Sequence, residues 1–363
     1  MDAFREIGQQ VNAAWARHAY DNAVLADIAA GVLADSALCE RVSVENLCTW
    51  CIETEAYPRQ PNELAMFGQP PMTIYADDQL YIEVLFWLEQ TTTIHQHAFS
   101  GAFYVLAGPS IHSVYRFTEH DRLSPGLRLG EVELDRFERL QAGDVQPIYA
   151  GPSYIHALFH LGYPSVTVVV RNVVEEAHRP QYDYLRPSLA IDHHAKNVHR
   201  LRQRQVLEML DHLSHPQAAA LLDRRLQQAE VEDSVRLLLD MHGDGRLPAD
   251  RLDAALAVIE ARHGVAADRL RPVFREMNRV GWLVGRRQHV TDEGCRLFLA
   301  LMILAPGREA AMDFIGQLYP GQSPAALVFG WIRALNDAGA SLTPEEVQTM
   351  FEGTAAAPAS ALL

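Results

Sequence analysis

Five short stretches between residues 80 and 172 (YIEVLFWL, AFYVLAG, IHSVYRF, YIHALFHL and SVTVVVR) are built from β-branched and aromatic residues and bounded by Gly, Pro, Ser or Asp. Side chains of that shape fit a pleated, buried surface, so each stretch reads as a strand. No long helical pattern separates them, which removes the crossover helices that parallel strands need. The fold expected here is an antiparallel sandwich or barrel.

The flanks have a different period. Phe4, Ile7, Val11 and Trp15 recur at helical spacing, as do Val24, Ile28 and Val32. Residues 57–71 hold four prolines and read as a connector. Beyond Asn172 the strand signal stops, residues 179–197 read as a turn-rich connector, and helical periodicity begins at Val198. The expected organisation is α+β: an N-terminal helical segment over 1–70, a β-barrel over 71–192, a helical domain over 193–352 and a flexible tail over 353–363. Within the helical half, LRPVFREMNRVGWLVGRRQHVTDEGCRLFLALM reads as a helix, a Gly-Trp turn, a short β-like stretch and a capped helix, the order of a winged helix.

The 46 acidic against 31 basic side chains of this 363-residue chain give a formal charge of -15, which repels phosphate backbones and disfavours nucleic acid as a partner. No basic-then-apolar leader opens the sequence, and its apolar runs are too short to span a bilayer. With only four cysteines, the expected location is a reducing cytoplasm. Cys48 and Cys51 match C-x-x-C, but they fall mid-helix after a Ser43 cap and lack the second pair that a zinc site needs. Asp240, His242, Asp244 and Gly245 imitate the opening of a calcium loop, yet its closing position is Arg251, so a helix–helix turn is expected. His193, His194 and His199 read as exposed connector histidines.

The segment that carries chemistry is TIHQHAFSGAFYVLAG, residues 93–108. Residues two apart on a strand share a face, so His95 and His97 point the same way. Two such imidazoles can hold one metal ion when a third ligand arrives from a facing strand.

H-x-H followed by an aromatic-Val-Leu strand and Gly108 resembles the first motif of the cupin family. Residues 143–160 (GDVQPIYAGPSYIHALFH) resemble the second motif, with Gly151-Pro152 displaced from the family's Pro-x-Gly. The resemblance covers about 110 residues. It implies a cupin-type antiparallel barrel (a jelly roll) and makes His156 the third ligand. The family's glutamate position falls on Gly101 and Ala102, which implies three neutral histidines, no carboxylate, and space at 101 where a glutamate would reach the ion. Three-histidine cupins similar to cysteine dioxygenase work in this way, so iron(II) is the first metal implied, with manganese, nickel or zinc as alternatives. Their Ser-x-His-x-Tyr falls here on Thr167, Val169 and Arg171, which leaves the substrate open.

Around these ligands, Tyr104, His112, Tyr115, Tyr154 and His160 lie on or beside the expected strands, as do Arg116 and Arg171. Tyr104, Tyr154 and His160 are the candidate catalytic groups, and Arg116 or Arg171 the anchor for an anionic substrate. The leading expectation is a mononuclear non-haem iron oxygenase taking O2 and a small, chelating, anionic substrate. A metal-dependent isomerase or lyase, and a non-catalytic ligand sensor with a helical effector domain, are the alternatives. The helices are expected to cover one barrel opening or to form a homodimer interface.

Overall fold

The computed structural model describes residues 1–61, 67–173, 175–192, 194–195, 197–243, 245, 247–343 and 347. His193, Asp244 and the expected tail at 353–363 lie outside the described residues.

The N-terminal segment forms α1 (Asp2–Ala16), α2 (Asn22–Asp35), α3 (Leu38–Arg41) and α4 (Val44–Glu53). α1 buries Phe4, Ile7, Val11 and Trp15, the stripe its periodicity dictates. On α2 the buried stripe is Leu25, Ala29 and Leu33, with Val24, Ile28 and Val32 packed at its margin. That helix is apolar almost all round, so its period alone does not single out one face. Ser43 caps α4 by accepting from the Asn46 N–H at 3.1 Å, and Cys48 and Cys51 sit within the helix as free thiols.

The strands are β1 (Pro71–Ala76), β2 (Leu80–Trp87), β3 (His95–Gln96), β4 (Gly101–Ala107), β5 (Ser110–Ser124), β6 (Leu127–Leu140), β7 (Val145–Ile148), β8 (Ile155–His160), β9 (Ser165–Asn172), β10 (Tyr182–Leu185) and β11 (Leu189–Asp192). They make a five-stranded sheet, β1-β2-β9-β4-β7, and a closed ring, β10-β11-β6-β5-β8-β3. All these strand pairs are antiparallel. The connector expected at 179–197 is thus partly strand, because β10 pairs with β3 and β11 with β6 to close the ring.

Alternation sorts each strand between two layers. In the five-stranded sheet, Ile82, Val84, Phe86, Ala102, Tyr104, Leu106, Val166, Val168 and Val170 face α1 and α2. The opposite parity, including Leu85, Trp87, Phe103, Val105 and Val169, faces the ring and meets Phe99, Tyr154 and Leu158 there. Both faces are buried, which explains why these strands read as unbroken apolar runs.

The C-terminal helices are α5 (Val198–His212), α6 (Ala218–Gln228), α7 (Val231–Gly243), α8 (Ala249–His263), α9 (Ala267–Arg287), α10 (Glu293–Leu304), α11 (Arg308–Leu318) and α12 (Pro324–Asp337). Fully buried α10 packs on the outer side of the ring, against Ile111, Tyr115, Ile155, Ala157, Phe159, Tyr182 and Tyr184. A second cluster joins α6 to α9 with Leu127, Leu129, Leu189 and Ile191. The helices therefore pack on the outer wall of the ring.

The winged-helix expectation does not hold, because α9 runs unbroken through Gly281 and Trp282 with no strand before α10. Glycine in a helix costs about 1 kcal/mol, which packing of the long amphipathic α9 overrides. Asp240 and His242 lie on α7, and the buried His242 ring nitrogen Nε2 meets the Phe274 carbonyl at 3.1 Å. His194 and His199 are exposed, as expected. Among the described residues no helix is long and apolar enough to cross a membrane.

Candidate metal centre

His95 and His156 stand directly opposite one another on the β3–β8 ladder. His97 follows β3 in a single bridge to Ala150, which turns its ring toward the same space. All three side chains are buried, and their ligand atoms lie within 4.8 Å of one another.

Hydrogen bonding selects which nitrogens face inward. His95 Nδ1–H donates to the Thr93 carbonyl at 2.8 Å, leaving the lone pair on Nε2. His97 Nε2 and His156 Nε2 are 2.9 Å apart. Two nitrogens each ~2.1 Å from one divalent ion and at right angles to each other stand about that far apart. The other ring nitrogen of His97, Nδ1, is buried without a hydrogen-bond partner. Burial, then the charge of His95, holds His97 and His156 well below the usual imidazole range, so both present lone pairs at neutral pH. Three convergent, buried imidazoles fit a divalent metal ion.

The remaining candidates divide sharply. The Tyr154 ring lies 4.6 Å from that of His156, its hydroxyl 3.1 Å from His112 Nε2, and burial pushes the phenol upward. Arg171 points between the sheets: its guanidinium lies 3.3 Å from the Phe99 ring centroid, and Nη1 is 3.9 Å from the Glu83 carboxylate. Burial lowers its pKa, yet it stays within reach to depress His97.

Three expectations need correction. Tyr104 faces away from the ligands, and its hydroxyl accepts from the Cys39 N–H at 3.1 Å, because it has the opposite strand parity to His95, His97 and Phe103 and so lies on the other face of the sheet. Arg116 is largely exposed and paired with Asp135 at 3.2 Å, since β5 shifts register between Val114 and Tyr115 and runs on into a solvated hairpin. His160 shares the face of His156, but four strand residues place it about 13 Å farther along. There its Nδ1 meets Ser110 Oγ at 2.9 Å and its ring stacks on Trp87 at 4.4 Å, as a core histidine.

Gly101 also differs from expectation. A Cβ there would lie 2.0 Å from the Val170 carbonyl oxygen, so the position has no room for a side chain. Glu138, which bonds His112 Nδ1 at 3.1 Å, was not anticipated. Its only sequence signal is the pairing of residue 112 with residue 138 on the β5–β6 ladder, which one sequence does not reveal.

No protein-family model matches the chain, and no curated protein matches it. Solved structures do. A cupin-2 domain protein from Shewanella frigidimarina is 14% identical, with a TM-score of 0.21, over 29% of this chain and 82% of its own. A double-stranded β-helix protein from Klebsiella pneumoniae is 14% identical, with a TM-score of 0.21, over 33% and 90%. The DMSP lyase DddQ from Ruegeria pomeroyi is 16% identical, with a TM-score of 0.27, over 48% and 93%.

The two motifs bring His95 and His97 against His156.

Proposed function

We propose that the chain is a metal-dependent oxygenase of the three-histidine cupin type, acting on a small anionic substrate. The observation that carries this reading is the cluster itself, three buried imidazoles with no carboxylate among the described residues of the group. Neutral ligands leave the charge of a divalent ion uncancelled, which favours an anionic chelating partner. Iron(II) held by His95, His97 and His156 would supply Lewis acidity and dioxygen activation.

The protein's own groups supply binding and enclosure. Arg171 offers N–H donors suited to a carboxylate, and Phe99 beneath it keeps the guanidinium in plane. Trp87, Phe99, Phe103 and Leu158 exclude water from the space between the sheets, which strengthens that attraction. Tyr154 keeps its proton near neutral pH and can donate a hydrogen bond beside His156.

The test is metal analysis of protein purified without oxygen, followed by nitric oxide and electron paramagnetic resonance. An iron-nitrosyl signal, with oxygen consumption on small carboxylate substrates, supports the reading. A second reading, a metal-dependent lyase or isomerase, is favoured by the Tyr154 hydroxyl beside His112, a pair suited to moving a substrate proton. Turnover without oxygen would select it.

A further inference from the structure

We infer that His112 and Glu138 position the ligand His156 and fix which of its nitrogens carries the lone pair. The inference rests on reading His156 as a metal ligand. His112, fully buried on β5, stands directly opposite Glu138 on β6 and diagonally from His156 on β8. Its Nδ1 lies 3.1 Å from Glu138 Oε1, and its Nε2 lies 3.3 Å from His156 Nδ1.

The proton positions follow in sequence. The hydrogen bond from His112, opposed by burial, holds the Glu138 carboxyl below its usual range, so it is ionised and can only accept. With Nδ1 facing that carboxylate, a neutral His112 carries its hydrogen there and leaves its Nε2 as an acceptor. That acceptor takes the His156 Nδ1–H, and Tyr154 O–H also reaches it at 3.1 Å. The His156 lone pair is left on Nε2, the atom 2.9 Å from His97 Nε2. A carboxylate at the end of such a chain orients a ligand ring and raises its basicity.

Glu138 is half-exposed, with 44% of its side chain accessible. Its removal should leave the metal-free fold intact while loosening the site. Full-length protein is loaded with cobalt(II), and affinity is measured by chelator competition alongside the visible absorption of the bound ion. Glu138→Ala should weaken cobalt binding roughly 10- to 100-fold and shift the absorption bands. Glu138→Gln, which retains an acceptor oxygen, should restore much of both. His112→Ala should lose a similar factor, and adding Glu138→Ala to it should cost little more.

The unfolding midpoint of metal-free Glu138→Gln, which keeps an acceptor for His112 Nδ1–H, should match that of the unaltered protein. Unchanged affinity and spectrum in Glu138→Ala, while the unaltered protein binds cobalt, would overturn this inference alone. Failure of the unaltered protein to bind cobalt would overturn the ligand reading beneath it.

Discussion

Arg287 on α9 donates from Nε and Nη2 to the carbonyl oxygen of His160 on β8, at 3.0 and 2.9 Å, and so fastens the helical layer to the strand that carries His156. Its Nη1 reaches the Leu88 carbonyl at 2.9 Å, and the side chain is wholly buried. Burial, then the charge of nearby Arg296, lowers its pKa to about 10. Two effects therefore oppose each other in Arg287→Met. Relief of a buried charge stabilises, whereas orphaning two buried carbonyls costs about 1–3 kcal/mol each. Loss should win, with a net destabilisation of about 2 kcal/mol in urea unfolding; a variant as stable as the parent would show that charge relief dominates.

His160 supplies a pH dependence. Burial, then Arg287 and Arg296, holds its pKa well below the ordinary 6.5. Below that ordinary value the unfolded chain takes up a proton that the folded chain refuses, so stability falls as pH falls. The loss begins near pH 6.5 and continues down to the depressed folded value, at up to about 1.4 kcal/mol per pH unit. Metal-free protein unfolded in urea between pH 7.5 and 5 should show a slope to which the likewise depressed His97 and His156 also contribute, and His160→Gln should reduce it by His160's share. An equal slope in both proteins would remove His160 as a source.

Gly101 lies where the family's glutamate falls, yet a Cβ there would meet the Val170 carbonyl oxygen at 2.0 Å. Gly101→Glu should not add a ligand to the cluster. It should instead separate β4 from β9 and destabilise the fold by roughly 1–3 kcal/mol, the cost of overpacking. Thermal unfolding of the metal-free variant checks this; a variant of unchanged stability would mean that the strands accommodate the side chain.

A protein ending at Asp192 would retain His95, His97 and His156 but lose the cover over Tyr115, Ile155, Phe159 and Tyr184, which pack against α10. Exposing so continuous an apolar wall promotes association. The shortened protein should aggregate, and size-exclusion chromatography should show it; a soluble monomer would mean that the ring is stable without its helices.

How far the sequence was legible depended on how local each signal was. Strands such as β2 and β9 are buried on both faces and announce themselves as apolar β-branched runs. β10 and β11 are four residues each, carry charges and are bounded by prolines, and only ring closure makes them strands. β6 was hidden by its many charged residues, because its hairpin with β5 is solvated. His95 and His97 were legible from period two, and His156 from motif resemblance. The same period puts Tyr104, seven residues past His97, on the opposite face; the solvated hairpin that exposes Arg116 was not legible. Nor was Glu138, whose role depends on a register set by two long strands.

The most direct measurement of the central claim is metal stoichiometry by mass spectrometry in the full-length protein and in His156→Ala, each purified without oxygen and dialysed against a weak chelator. His95 and His156 face each other across one ladder, and the ligand atoms of the three histidines converge within 4.8 Å, so removing one should open the set. The expected result is about one divalent ion per chain in the parent protein and almost none in the variant. Equal metal content in both, or none in the parent, would contradict the account.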